Sequence, residues 1–142
     1  MNFRKFSTAL LTMALCAPGL ASSSSQQGIP GTQASTIDIK DHDQKSTIDC
    51  KGNGVTISGD DNRITLEGEC SRLTVSGDDN TITAKSVTEI VVSGDDNKIN
   101  VDTVARVNTS GDDNKIRWKS GLGGRPPEIS NTGHDNKAEQ DK

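Results

Sequence analysis

The sequence predicts an all-β chain: a short, single-domain parallel β-solenoid of about five coils of 17–18 residues, preceded by an N-terminal signal peptide. Three observations carry this. First, the pentapeptide Ser58-Gly59-Asp60-Asp61-Asn62 returns at Ser76–Asn80, Ser93–Asn97 and Ser110–Asn114. A degenerate copy, Thr132-Gly133-His134-Asp135-Asn136, follows, so the Asn residues step by 18, 17, 17 and 22. A near-constant step of this size marks stacked repeats. Second, apolar residues alternate with polar ones on both sides of each pentapeptide, as in half-buried strands. Third, aromatic residues are only 2% of the chain and apolar residues 30%. A core with so little aromatic area has to be thin and aliphatic.

From the N-terminus, Arg4 and Lys5 precede an apolar stretch running to Pro18, and Gly19-Leu20-Ala21 fits a small-x-small cleavage site. Residues 1–21 therefore read as a signal peptide, too short to span a bilayer. Export to the periplasm or the extracellular space is the expectation. Cys16 raises the alternative of lipidation, but Leu15 stands where an acylation site wants a small residue. Residues 22–36, rich in Ser, Gln and Gly, read as a flexible polar linker. The repeat domain is expected over 37–136, with a polar tail over 137–142.

Within the repeats, the triplets before the pentapeptide are Val55-Thr56-Ile57, Leu73-Thr74-Val75, Ile90-Val91-Val92 and Val107-Asn108-Thr109. Those after it are Ile64-Thr65-Leu66, Ile82-Thr83-Ala84, Ile99-Asn100-Val101 and Ile116-Arg117-Trp118. The outer members are mostly apolar and the middle ones mostly polar; Val91, pointing outward, and Thr109, pointing inward, break this rule, and Val87 and Val104 supply a third inward position. Hairpins across the turns would use the same strands, but near-identical turns at near-identical spacing favour like stacked on like. Counting back from Val55, Ile37-Asp38-Ile39 is a degenerate opening coil. Gly121 to Pro127 interrupts the last repeat with a Gly/Pro loop. Trp118 is expected in the core or covering its edge.

Cys50 and Cys70 remain after signal removal, and an even count in an exported chain reads as one disulfide. Both precede the same strand of successive coils. One rung of about 4.8 Å lies within disulfide reach.

The pentapeptide decides what the chain can do. Asn62, Asn80, Asn97, Asn114 and Asn136 are expected to form a hydrogen-bonded ladder, with Asn and Gly tolerating the turn's backbone angles. Asp60, Asp61, Asp78, Asp79, Asp95, Asp96, Asp112 and Asp113, continued by Asp135, would stack into carboxylate columns. Such columns are the candidate for Ca²⁺, an ion that takes oxygen ligands. Solvated acidic turns are the simpler reading, since exposed carboxylates about 5 Å apart repel by only roughly 1 kcal/mol. Outward Thr56, Thr65, Thr74 and Thr83 do not continue into a flat rank, because Val91, Asn100, Asn108 and Arg117 replace them.

Composition excludes other classes. Without Arg4 and Lys5 the 16 basic residues become 14 against 20 acidic ones, a net charge of −6. That balance disfavours nucleic acid and anionic lipid. His42 and His134 fall in the first and last coils, too far apart to share a site, and no phosphate-binding Gly loop precedes a helix. No catalytic residue and no required cofactor is expected.

With the coils laid out, the chain resembles the bacterial domain of unknown function 3060 family. The resemblance rests on the Val-x-Ile-Ser-Gly-Asp-Asp-Asn-x-Ile units, on Cys50 with Gly52, on Gly68-Glu69-Cys70, and on the endings Ile116-Arg117-Trp118 and Asn131-Thr132-Gly133. It covers roughly residues 48–136 and implies an exported or surface-associated β-solenoid without an assigned activity. The family includes lipoproteins, from which the setting of Cys16 departs. The functional expectation is a non-catalytic binding or structural module of the cell envelope, its partner an envelope component or a second copy. The alternative is a divalent-cation-binding protein using the Asp columns.

Overall fold

The structure, a computed structural model, describes residues 35–142. The expected signal peptide, Cys16 and nearly all of the expected linker lie outside the described residues. The strands are β1 (Thr36–Ile39), β2 (Lys45–Asp49), β3 (Gly54–Ser58), β4 (Arg63–Ser76), β5 (Thr81–Ser93), β6 (Lys98–Ser110), β7 (Lys115–Gly121), β8 (Glu128–Asn131) and β9 (Lys137–Gln140). A 3-10 turn at Leu122–Gly124 separates β7 from β8. Every pairing is parallel, in the order β1-β3-β4-β5-β6-β7-β9, with β2 on β4 and β8 on β6. This is a β-solenoid of about six turns, counting both degenerate end coils.

Register alone builds the core. Val55 sits over Ile37 and under Leu73, and Ile90 and Val107 follow in the same column. Ile64, Ile82, Ile99 and Ile116 form a second column, and Cys70, Val87 and Val104 a third. All of these except Ile37, which packs partly buried against them, are at most 2% exposed. Parallel stacking puts each side chain against one of similar size, so aliphatic columns close most of the interior, with Trp118 the one aromatic in the core cluster.

Two of the columns change character at the ends, whereas the Val55 column runs from Ile37 to Ile129, which is 40% exposed. The isoleucine column begins at Ser46 and ends at Ala138, and the column holding Leu66 and Trp118 ends at Gln140. An end rung has one side open to solvent, so smaller and more polar residues there limit the apolar area left wet. Trp118 is buried in the core cluster, under the last rung. Thr109 points inward as the sequence indicated, and its Oγ1 has no hydrogen-bond partner among the described residues.

Two boundaries differ from the sequence reading. Thr36, assigned to the linker, opens β1 and pairs with Gly54. The stretch read as a polar tail contains β9, whose residues pair with Lys115–Trp118 of β7. Lys137, Glu139 and Gln140 carry almost no apolar signal. The backbone of β9 nonetheless finds partners on β7, and Ala138 covers the core.

Candidate functional site

The repeated corner was the first candidate, and the structure assigns each of its residues a task within the fold. Asn62, Asn80, Asn97 and Asn114 are buried to 1% exposure or less. Each Oδ1 accepts the backbone N–H of the Asn one rung earlier, from Asn62 N–H to Asn80 at 3.1 Å through to Asn114 N–H to Asn136 at 3.0 Å. Asn80, Asn97 and Asn114 also donate from Nδ2 to the next Asn Oδ1 and to a glycine carbonyl of the previous rung. In the first coil Gln44 replaces Asn, and the Nδ2 of Asn62 is left without a partner.

The backbone roles differ from expectation in one respect. Left-handed angles fall on Gly and on the second Asp, not on Asn: Asp61, Asp79, Asp96 and Asp113 have φ of 55–57°. Asp is among the few side chains that visit this region readily. The glycine is required for a second reason. A Cβ on Gly77, Gly94 or Gly111 would run into the glycine carbonyl of the preceding rung.

The candidate cation ligands separate into two columns. The first contains His42, Asp60, Asp78, Asp95, Asp112 and His134 from end to end, so both histidines terminate one carboxylate column. These carboxylates do not merely face water. Oδ1 of Asp60, Asp78, Asp95 and Asp112 each accepts the backbone N–H at the same position in the next rung, at 2.7–2.9 Å. At the N-terminal end Nδ1 of His42 accepts from Asp60 N–H at 3.0 Å. The second column, Asp61, Asp79, Asp96, Asp113 and Asp135, is exposed. Among the described residues no group of three or more His, Cys, Asp or Glu side chains converges in a metal-binding arrangement. Cys50 and Cys70 form the expected disulfide, with a Cα–Cα distance of 5.1 Å.

Outside the corner, the outward faces of the strands carry charge in columns. On the face containing β3, Arg72, Glu89, Arg106 and Glu128 stand in register. Glu89 pairs with Arg72 and with Arg106, and Arg106 with Glu128. This alternating ladder is internally neutral.

The face that follows the corner is different. Lys45, Arg63, Thr81, Lys98, Lys115 and Lys137 occupy one column along the whole solenoid. The five cations in it are exposed, and none makes a salt bridge among the described residues. Beside it runs a polar column of Thr47, Thr65, Thr83 and Asn100, continued by Arg117 and Glu139. Further out, Lys119 is held by Asp102 at 2.6 Å, which raises the pKa of its amine. Two open-sided depressions lie along the basic column. One is lined by Lys45, Thr47, Arg63, Thr65, Thr81 and Thr83, the other by Lys98, Asn100, Lys115 and Arg117.

The net charge of the chain conceals this column in the sequence. Its signal is positional: the residue after each corner Asn, or after Gln44, is basic in every coil except at Thr81. Among the described residues no helix is long and apolar enough to cross a membrane.

Comparison with known proteins agrees with the repeat pattern. The family model described as protein of unknown function (DUF3060) matches residues 57–101 and, in a second overlapping match, 88–135. Together these matches span more than half of the chain, and the chain belongs to that family. No curated protein and no solved structure matches it.

Proposed function

We propose that this DUF3060 member is an exported, non-catalytic binding module of the cell envelope that presents the outer faces of a rigid solenoid to a partner. The observation that supports the reading most is the division of labour between corner and face. The motif that looks like a ligand signature supplies fold hydrogen bonds through Asn and the first Asp. The unpaired positive charge lies on a strand face, where stacking sets it in a straight array. The solenoid backbone fixes the spacing of the columns, so an extended partner meets them at regular intervals without any ordering of the backbone.

Crosslinking of the protein in native envelopes, followed by recovery with its partners, tests this. One envelope component should be enriched, and charge reversal on the basic column should reduce that enrichment. A partner profile indistinguishable from that of an unrelated exported solenoid of equal charge would overturn the reading.

A further inference from the structure

The basic column and its neighbour have the dimensions and chemistry of a track for a linear polymer. Six positions at about 4.8 Å per rung make a stripe of roughly 24 Å. Five of the six are cations that make no salt bridge among the described residues. The contrast with the other face matters, since there Arg72 and Arg106 are neutralised through Glu89 and Glu128. Solubility alone would be served by mixed charge, as on that face. A column of cations, interrupted only at Thr81 and left without salt-bridge partners among the described residues, offers repeated pairing sites to an oppositely charged partner.

The chemistry beside the cations narrows the partner. Thr47, Thr65, Thr83 and Asn100 offer hydroxyl and amide groups, each able both to donate and to accept. No aromatic side chain lies on this face: Trp118 is buried, the described residues contain no Phe or Tyr, and His42 and His134 stand in the corner column at its two ends. Single-stranded nucleic acid binding relies on aromatic platforms for its bases, and none is present. On the corner side the stripe is flanked by the exposed Asp61, Asp79, Asp96, Asp113 and Asp135. These carboxylates repel a wide anionic duplex or a bilayer surface, whose phosphates would lie over both columns. A polymer of carboxylated sugars offers a carboxylate for the cations and hydroxyls for the Thr/Asn column, at a step of the same order as one rung.

We propose that the Lys45–Lys137 column, with the adjoining Thr47–Asn100 column, is a binding track for a linear acidic polysaccharide laid parallel to the solenoid axis. This proposal rests on the binding-module reading and specifies its ligand class.

The test measures binding of the purified protein to sodium polygalacturonate, to its fully methyl-esterified form and to single-stranded oligodeoxythymidylate, at low and at raised salt. The variants are Lys98→Gln/Lys115→Gln, and Arg72→Gln on the face before the corner as a control. Polygalacturonate should bind, weaken with salt, and lose about 30-fold in affinity in the double variant, at roughly fivefold per cation near an anionic surface. The esterified polymer should not bind, and Arg72→Gln should bind like the unaltered protein. An unchanged thermal melt shows that the double variant folds. Three results would each overturn the proposal: no binding of polygalacturonate at low salt, equal binding by the double variant, or tighter binding of oligodeoxythymidylate. An envelope partner that survives loss of the column would leave the binding-module reading standing while removing this one.

Discussion

The corner of each coil and the side opposite it solve the same stacking problem in opposite ways. At the corner the rungs are nearly identical. Asn bonds Asn, the first Asp accepts from the next rung, and Gly lies against the carbonyl of the rung before. These are directional contacts between buried or tightly packed groups, so each rung must repeat the geometry of the last. Opposite the corner the coils vary freely. The 18-residue repeat carries its extra residue where the register shifts between Leu66 and Glu69, at Gly68 with φ of 74°. The step of 22 arises from the Gly121–Pro127 loop. Cys50 and Cys70 link two rungs on this same side. Aliphatic packing and solvated loops are not directional, which is why insertions collect there.

Breaking the ladder should have the largest effect. Asn97→Ala removes bonds to the Asn80 backbone and side chain, to Gly77 O and to Asn114. Several buried polar groups would be left unpaired, at a cost of about 4 kcal/mol in urea unfolding. A loss below about 1 kcal/mol would show that the ladder follows from the fold rather than holding it.

Replacing Cys50 and Cys70 by Ala should cost about 3 kcal/mol in the same assay, given a separation of 20 residues. The damage should concentrate in β1 and β2, measured by amide exchange, because the corner ladder is incomplete there and Asn62 Nδ2 is unpartnered. Uniform loss of protection along the solenoid would contradict a local role.

Inserting two glycines between Gly123 and Gly124 should cost less than about 1 kcal/mol, as expected for lengthening an existing loop. The same insertion after Asp78 should be far more damaging, since it displaces the Asn ladder. Comparable costs at the two places would erase the distinction between the sides.

The smallest expected effect concerns the acidic turns. Chelator, or millimolar Ca²⁺, should leave the melting temperature unchanged, because the first Asp column is already engaged with backbone N–H groups. A rise of many degrees with Ca²⁺ would turn the corner into a cation site and revive the divalent-cation reading.

How much of this was legible beforehand follows from period and spacing. Repeat length, inward residues, the disulfide and the Asn ladder can all be read from the chain, because a solenoid places equivalent residues in register one rung apart. Local sequence therefore carries long-range contacts, a rare circumstance among β folds. What the chain did not reveal is where a group's bonding capacity is used. The first Asp looked solvated, yet its Oδ1 accepts from the rung above. The left-handed angle fell on the second Asp rather than on Asn, since the buried Asn must direct its amide along the axis. Strand β9 was hidden because Lys137–Gln140 has almost no apolar pattern and is held by backbone pairing to β7. The basic column was hidden because net charge sums over the chain, whereas a field depends on position. Sequence determined the coil and its stacking. Tertiary structure decided which polar groups are consumed by the fold and which, on the face after the corner, are left to meet something else.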